Sequence, residues 1–181
     1  MRMINYKKHF FKTIIAGEGG VGKTTLLHQY IRGEFRPEVQ STIGSNFFVK
    51  YVKIPQANNI LTLQIWDLAG QARFKWVRQA FYKGTRGIVY MFDLTHYESF
   101  ENLKFWKEEI ESTVGVQPSI LVGNKLDLLE TEIRGIPLEE SNTFKVNLAS
   151  CAYIETSAKF GTGVDDLFSK LAIEMYKSQD F

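Results

Sequence analysis

A chain of 181 residues suits one domain with a full hydrophobic core, and 44% hydrophobic with 23% charged residues is an ordinary globular mixture. A formal charge of +2 gives no footing for a nucleic-acid partner, and no run reaches the ~18 apolar residues of a membrane span. The single cysteine, Cys151, excludes an internal disulfide framework and suits a reducing compartment, where it reads as a small buried hydrophobe.

The opening MRMINYKKHFFK has no apolar stretch for a signal peptide and no glycine after Met1 for myristoylation. Its Lys7, Lys8 and Lys12 read as a solvated lead-in to the first strand rather than a lipid-touching patch. FFKTIIAGE, rich in β-branched and aromatic residues, predicts that strand. GKTTLLHQYIRG predicts a helix closed by Gly33. NFFVKYVKI and ILTLQIWD predict two strands joined through the polar turn PQANN, a hairpin. GIVYMFDL predicts a fourth strand, and ESFENLKFWKEEIEST a helix with Phe100, Leu103, Trp106 and Ile110 on one face. SILVGN is a strand, PLEESNTFKVNLAS a helix, CAYIETS a short strand and GVDDLFSKLAIEMYK a closing helix. This order predicts an α/β fold: a mostly parallel six-stranded sheet with one antiparallel strand and helices on both faces. The closing MYKSQDF has no cysteine to prenylate, so a cytoplasmic protein with at most weak, peripheral membrane contact is expected.

The motifs fall at strand ends or in the loops that follow, where ligands bind in such sheets. Gly17, Gly22, Lys23 and Thr24 satisfy G-x-x-x-x-G-K-[ST] between a strand and a helix. The glycines let backbone N–H groups wrap an oxyanion, and the helix N-terminus adds positive potential. Lys23 can pair with the β- and γ-phosphates, and the Thr24 hydroxyl can ligate Mg2+. Asp67, at the end of LTLQIW, can reach the metal from the other side, directly or through water. Gly70 completes D-x-x-G, with an N–H that can turn to a γ-phosphate. In GNKLD, Asp127 can accept from N1–H and the 2-amino group of guanine, a donor pair that adenine lacks. Asn124 can brace neighbouring loops, and the Lys125 stem can lie over the base. In TSAK, the Ala158 N–H can donate to the guanine O6, and Lys159 can cover the other face. Each of the last three strings is weak alone; their order after the phosphate loop makes them specific.

These four motifs in this order resemble the Ras superfamily of small GTPases, from about residue 11 to 176 of a single domain spanning 1–181. STIGSNFF is similar to switch I of the Rab-like branch, LQIWDLAGQARF to the start of its switch II, and ESFENLKFWKEEI to its third helix. The resemblance implies a switch that hydrolyses GTP to GDP and phosphate with Mg2+. It makes Gln71, Lys23, Thr42 and Gly70 the catalytic group. Gln71 orients the attacking water, and Thr42 meets Mg2+ and the γ-phosphate, so the metal set is Thr24, Thr42 and Asp67. Around the nucleotide stand Gly17, Glu18, Gly19, Gly20, Val21, Gly22, Lys23, Thr24 and Thr25. Phe35, Thr42, Gly70, Asn124, Lys125, Asp127, Ser157, Ala158 and Lys159 complete that set. Phe35 would set an edge against the guanine, though a core or hinge aromatic is an equally ordinary reading. Gly19 leaves the transition state uncrowded. Phe47, Trp66 and Phe81 fall where Rab-like proteins read effectors, although core packing explains each as well.

Arg36, Arg73 and Arg78 lie in or near the switches but read as solvated surface arginines, so no built-in arginine finger is expected. The resemblance therefore implies a GTPase-activating protein in trans, with an exchange factor, effectors and a role in vesicle traffic. A monomer is expected. Leu68 and Ala72 depart from the threonine and glutamate usual in the family, which puts the exchange mechanism in question. The competing reading is a nucleotide-locked binding module that presents a surface without hydrolysis; Gln71→Leu would separate the two. A phosphate-loop ATPase or kinase fails on Asp127.

Overall fold

The structure, a computed structural model, describes residues 8–37, 42–54 and 59–179. Lys7, Ser41 of switch I and residues 55–58 of the hairpin turn lie outside the described residues, as do the side chains of Lys8 and Ala72.

Strand β1 (Lys8–Ala16) runs through the middle of a six-stranded sheet of order β2-β3-β1-β4-β5-β6. Its neighbours are β3 (Asn59–Leu68) and β4 (Thr85–Asp93), both parallel to it. β5 (Ser119–Asn124) and β6 (Ala152–Glu155) extend the parallel side. β2 (Ser45–Ile54) is antiparallel to β3 and forms the edge. Five parallel strands and one antiparallel strand match the expectation.

The parallel strands carry apolar central runs, such as residues 14–16, 88–92 and 120–122, because both faces are covered. Ile14 and Ile15 are both fully buried and face opposite ways, as do Ile88 with Val89 and Leu121 with Val122. On one side, Ile15, Val89 and Val122 pack with Leu26 and Leu27 of α1 (Lys23–Arg32) and Phe168 and Leu171 of α6 (Val164–Lys177). On the other, Ile14, Tyr90 and Leu121 pack with Leu103, Trp106 and Ile110. Leu68, one of the two departures from the family pattern, is fully buried in this second layer.

Helix α1 ends at Gly33, whose left-handed backbone (φ +68°) returns its N–H to the Gln29 carbonyl. The expected third helix is two pieces, α3 (Tyr97–Glu101) and α4 (Leu103–Val114). Asn102 between them keeps right-handed helical angles, and Phe105 N–H bonds its carbonyl at 3.1 Å, so the chain tightens without turning away. Phe100 and Leu103 therefore still share the buried face. α5 is Leu138–Asn147. α2 (Lys75–Gln79) and two 3-10 turns, Ala72–Phe74 and Leu126–Glu130, were not expected, being too short to show a period. Cys151 corrects another expectation. It is exposed, because it precedes β6 and only its successor Ala152 turns into the sheet.

Candidate functional site

A cleft of about 370 Å3 opens where β1, β4 and β5 end. Its lining includes Gly19, Gly20, Gly22, Lys23, Thr24, Thr25, Phe35, Thr42, Gly70, Gln71, Asn124, Lys125, Asp127, Ala158 and Lys159. Sequence reasoning named all of these. It missed Pro37 and Leu128, which also line the cleft and carry no motif. Gly17, Glu18, Val21, Asp67 and Ser157 do not line it.

β1 delivers the chain to the phosphate loop, and Lys23 begins α1. Gly22 holds φ +99°, and a Cβ there would strike Asn124 Nδ2, so the glycine is required twice over. Lys23 is 6% exposed, and its Nζ donates to the carbonyls of Gly17 and Glu18 at 2.7 Å each. Burial pushes its ammonium down to about 8, against the opposing pull of Asp67 and Glu18. An anion in the loop would offset that cost of burial.

Beside it, three oxygens from three segments converge. Asp67 Oδ2 accepts from Thr24 Oγ1 at 2.6 Å and from Thr42 Oγ1 at 3.4 Å, and the two threonine oxygens lie 2.9 Å apart. Asn46 Nδ2, unforeseen in the sequence, donates to the same carboxylate oxygen at 3.3 Å. Asp67 is fully buried, and among the described residues its Oδ1 has no hydrogen-bond partner. One carboxylate and two hydroxyls make a hard, oxygen-only donor set with a buried lone pair left over, which fits Mg2+ completed by water and phosphate. Among the described residues there is no cluster of three His, Cys, Asp or Glu side chains that would suit a zinc-type site instead.

Gly70 is buried against the phosphate loop; a Cβ on it would overlap the backbone of Glu18 and Gly19. Its neighbour Gln71 faces Gly19, where a Cβ would meet Gln71 Cγ at 3.5 Å. The start of switch II is thus packed on the phosphate loop.

At the other end of the cleft, Asn124 is nearly fully buried and ties three loops. Its Nδ2 donates to the Val21 carbonyl at 2.9 Å, and its Oδ1 accepts from Thr156 Oγ1 at 3.0 Å. Ala158 N–H, expected to face a base, reaches the same Oδ1 over a long 3.3 Å. Ser157 Oγ donates to Asp127 Oδ1 at 2.6 Å, orienting that carboxylate. Lys125 has a left-handed backbone (φ 67°), and its Nζ pairs with Asp93 Oδ2 at 2.7 Å. Phe35 is 41% exposed at the rim, so it is not a core aromatic.

Two expectations about basic residues need correction. Arg78 is not a solvated arginine: it is 6% exposed and forks onto Glu109. Burial alone would lower its pKa, but the hydrogen bonds to Glu109 prevail and raise it. Arg36 and Arg73 are exposed as expected, Arg36 paired to Glu34 at 2.8 Å. Lys12 is engaged as well. Its Nζ donates to the Lys83 carbonyl at 3.0 Å and lies 4.9 Å from the centre of the Trp66 ring. That ring is the middle of a continuous row, 5.1 Å from Phe47 and 5.3 Å from Phe81, with Phe47 exposed.

Comparison with known proteins agrees with this geometry. A sequence model described as the Ras family matches residues 12–177. The chain is 38% identical over 186 residues to the Ypt/Rab-type GTPase ypt7 of Schizosaccharomyces pombe, covering 98% of this chain and 89% of that protein. It is 36% identical over 181 residues to the Ras-related protein RABG3f of Arabidopsis thaliana, covering 97% and 87%. It is 35% identical over 182 residues to the Ras-related protein Rab7 of Cenchrus ciliaris, covering 98% and 87%. Similarity of this degree over nearly the whole length leaves one assignment: the chain belongs to the Ras family, on its Rab-like branch.

Proposed function

We propose residue roles for this Ras-family chain, a GTP-hydrolysing molecular switch. The observation that carries them is the meeting of Thr24, Thr42 and Asp67 beside Lys23, with Gln71 facing the same loop. The phosphate loop from Gly17 to Thr25 cradles the β- and γ-phosphates with its N–H groups, and Lys23 turns from the Gly17 and Glu18 carbonyls to phosphate oxygens. Thr24, Thr42 and Asp67 would hold Mg2+, Asp67 directly or through water. Bound there, the metal would neutralise charge on the β- and γ-phosphates. Asp127 selects guanine, with Asn124, Lys125, Ser157, Ala158 and Lys159 shaping the pocket and Phe35 at its rim.

Hydrolysis is then attack of water on the γ-phosphorus with departure of GDP as the β–γ bridging bond breaks. Gln71 orients the water; Gly70 N–H, Thr42 and Lys23 hold the γ-phosphate in line. Catalysis is positioning and charge stabilisation, so intrinsic turnover is slow. An arginine supplied in trans by an activating protein is worth about 10³–10⁵ in such enzymes. Loss of the γ-phosphate frees Thr42 and Gly70 and loosens both switches. Effectors read that change beside the row Phe47, Trp66 and Phe81, which forms the rest of their surface.

Among the described residues no helix is long and apolar enough to cross a membrane. Similarity to Rab-like relatives supports a cytoplasmic protein with peripheral membrane contact in vesicle traffic, acting as a monomer and served by an exchange factor, an activating protein and effectors. No observation favours the nucleotide-locked module. The test is single-turnover hydrolysis of preloaded GTP with Mg2+, beside Gln71→Leu. Slow turnover cut sharply, to a small residual rate, by the variant supports the roles; equal rates in both remove Gln71 from the mechanism.

A further inference from the structure

Arg78 rises from α2 into a crossing of three elements. Its Nε and Nη2 donate to the two carboxylate oxygens of Glu109 at 2.9 and 3.0 Å. Its Nη1 donates to the Gln71 carbonyl at 3.2 Å. Its guanidinium lies 3.8 Å from the centre of the Trp106 ring. Trp106 and Glu109 are three residues apart on α4 and so share a helix face. Glu109 also accepts from Tyr82 Oη at 2.7 Å, and Trp106 Nε1 donates to Glu18 Oε1 at 3.3 Å.

A guanidinium held this way has little freedom. The carboxylate fork fixes its plane and the indole fixes its height above α4. A third donor, on Nη1, fixes the Gln71 carbonyl. The same indole is bonded to Glu18, in the phosphate loop. Helix α4 is therefore a shared reference for the loop that cradles phosphate and the glutamine that faces it.

We infer that Arg78 is a positioning residue for GTP hydrolysis, holding the Gln71 backbone against α4 so that its side chain meets the phosphate loop in register. The inference rests on Gln71 orienting the attacking water. Arg78 itself lines neither the cleft nor the base pocket. Its leverage is large because a misplacement of 1 Å costs about 100-fold in rate.

A mutant cycle tests it, read by single-turnover GTP hydrolysis, with GDP dissociation and the thermal midpoint measured alongside. The variants are Arg78→Gln, Arg78→Lys, Gln71→Leu and the Arg78→Gln/Gln71→Leu pair. Arg78→Gln is expected to slow hydrolysis by about tenfold to about 100-fold with GDP dissociation unchanged. Arg78→Lys keeps a cation against Glu109 but lacks the fork, so it is expected to stay folded and still hydrolyse slowly. In the Gln71→Leu background, Arg78→Gln is expected to add nothing, since residues acting as a unit are not additive. Equal slowing by Arg78→Gln in both backgrounds, or wild-type hydrolysis in folded Arg78→Lys, overturns the inference. If Gln71→Leu alone hydrolyses at the wild-type rate, the role of Gln71 has failed and this inference falls with it.

Discussion

Replacing Gly70 by alanine adds one methyl group at the tightest approach of switch II to the phosphate loop. Gly70 is buried, and its backbone is not left-handed, so alanine meets no conformational penalty there. The obstacle is contact. The new Cβ would overlap Glu18 C and Gly19 N and lie 2.6 Å from the Glu18 carbonyl oxygen. Ordinary contact for a Cβ begins near 3.4 Å, and the obstructing atoms are backbone, which cannot swing aside. Switch II has to lift off the loop by about 1 Å, and Gln71 moves with it. A shift of 1 Å corresponds to about 100-fold in rate, or about 2.7 kcal/mol of barrier. The Asn124 and Asp127 end of the cleft is untouched, so Gly70→Ala is expected to keep GDP tightly while hydrolysing preloaded GTP about 100-fold more slowly. Single-turnover hydrolysis and release of a fluorescent GDP analogue check this. Hydrolysis within a few-fold of wild type would refute the argument that packing at Gly70 sets the position of Gln71.

Asn124→Ala leaves the Val21 carbonyl, Thr156 hydroxyl and Ala158 N–H without their shared partner. At about 1–3 kcal/mol for a buried unsatisfied group, GDP dissociation is expected to accelerate by about tenfold or more, read by stopped flow. Leu68→Thr restores the family's usual residue into a fully buried apolar site. It is expected to cost about 3 kcal/mol in denaturant unfolding, from lost packing and a buried hydroxyl. Glu155 accepts from Arg134 at 2.7 and 2.9 Å, and these bonds hold its carboxyl below the usual range. Its folded pKa lies below the unfolded one, so the pair stabilises above the unfolded pKa and is lost as pH falls through the folded value. Arg134→Gln is therefore expected to move the acid-unfolding midpoint to higher pH, followed by circular dichroism.

Much of the site was legible because phosphate chemistry demands particular residues at fixed local spacing. Gly22, Lys23 and Thr24 act within one strand–loop–helix unit, and Asp67 and Asp127 sit at strand ends that apolar runs announce. Gly33 was legible as a helix stop for the same local reason. Arg78 was not, because its burial depends on Trp106 and Glu109, about thirty residues further on, and α2 spans only five residues. An arginine in so short an element, between Val77 and Gln79, reads as solvated until the acidic partner and the indole are known. Lys12 misled in the same way, since the Lys83 carbonyl and the Trp66 ring that engage it come from distant segments. Cys151 failed on register: one residue nearer β6 it would have turned inward. Asn46 carries no motif, and only the antiparallel pairing that sets it across from Asp67 brings it to that carboxylate.

The β2–β3 ladder gives the two switches a common limit. Its last rung pairs Ser45 with Leu68, and just beyond it Ala69 N–H bonds the Gly44 carbonyl at 3.0 Å. The segments that carry Thr42 and Gly70, proposed above to read the phosphate, leave the sheet side by side from that bond. Thr42 lies two residues outside it, and Gly70 only one. Loosening after phosphate loss can spread outward through either segment, but to spread inward it must unzip a ten-residue ladder. Hydrogen exchange should therefore show a sharp boundary at Gly44 and Ala69: fast amides outside, slow amides within, and the same edge in either nucleotide state. The signal is confined to a few residues by the geometry of one rung, leaving Phe47 and Trp66 inside the quiet zone as a fixed floor beneath the moving parts.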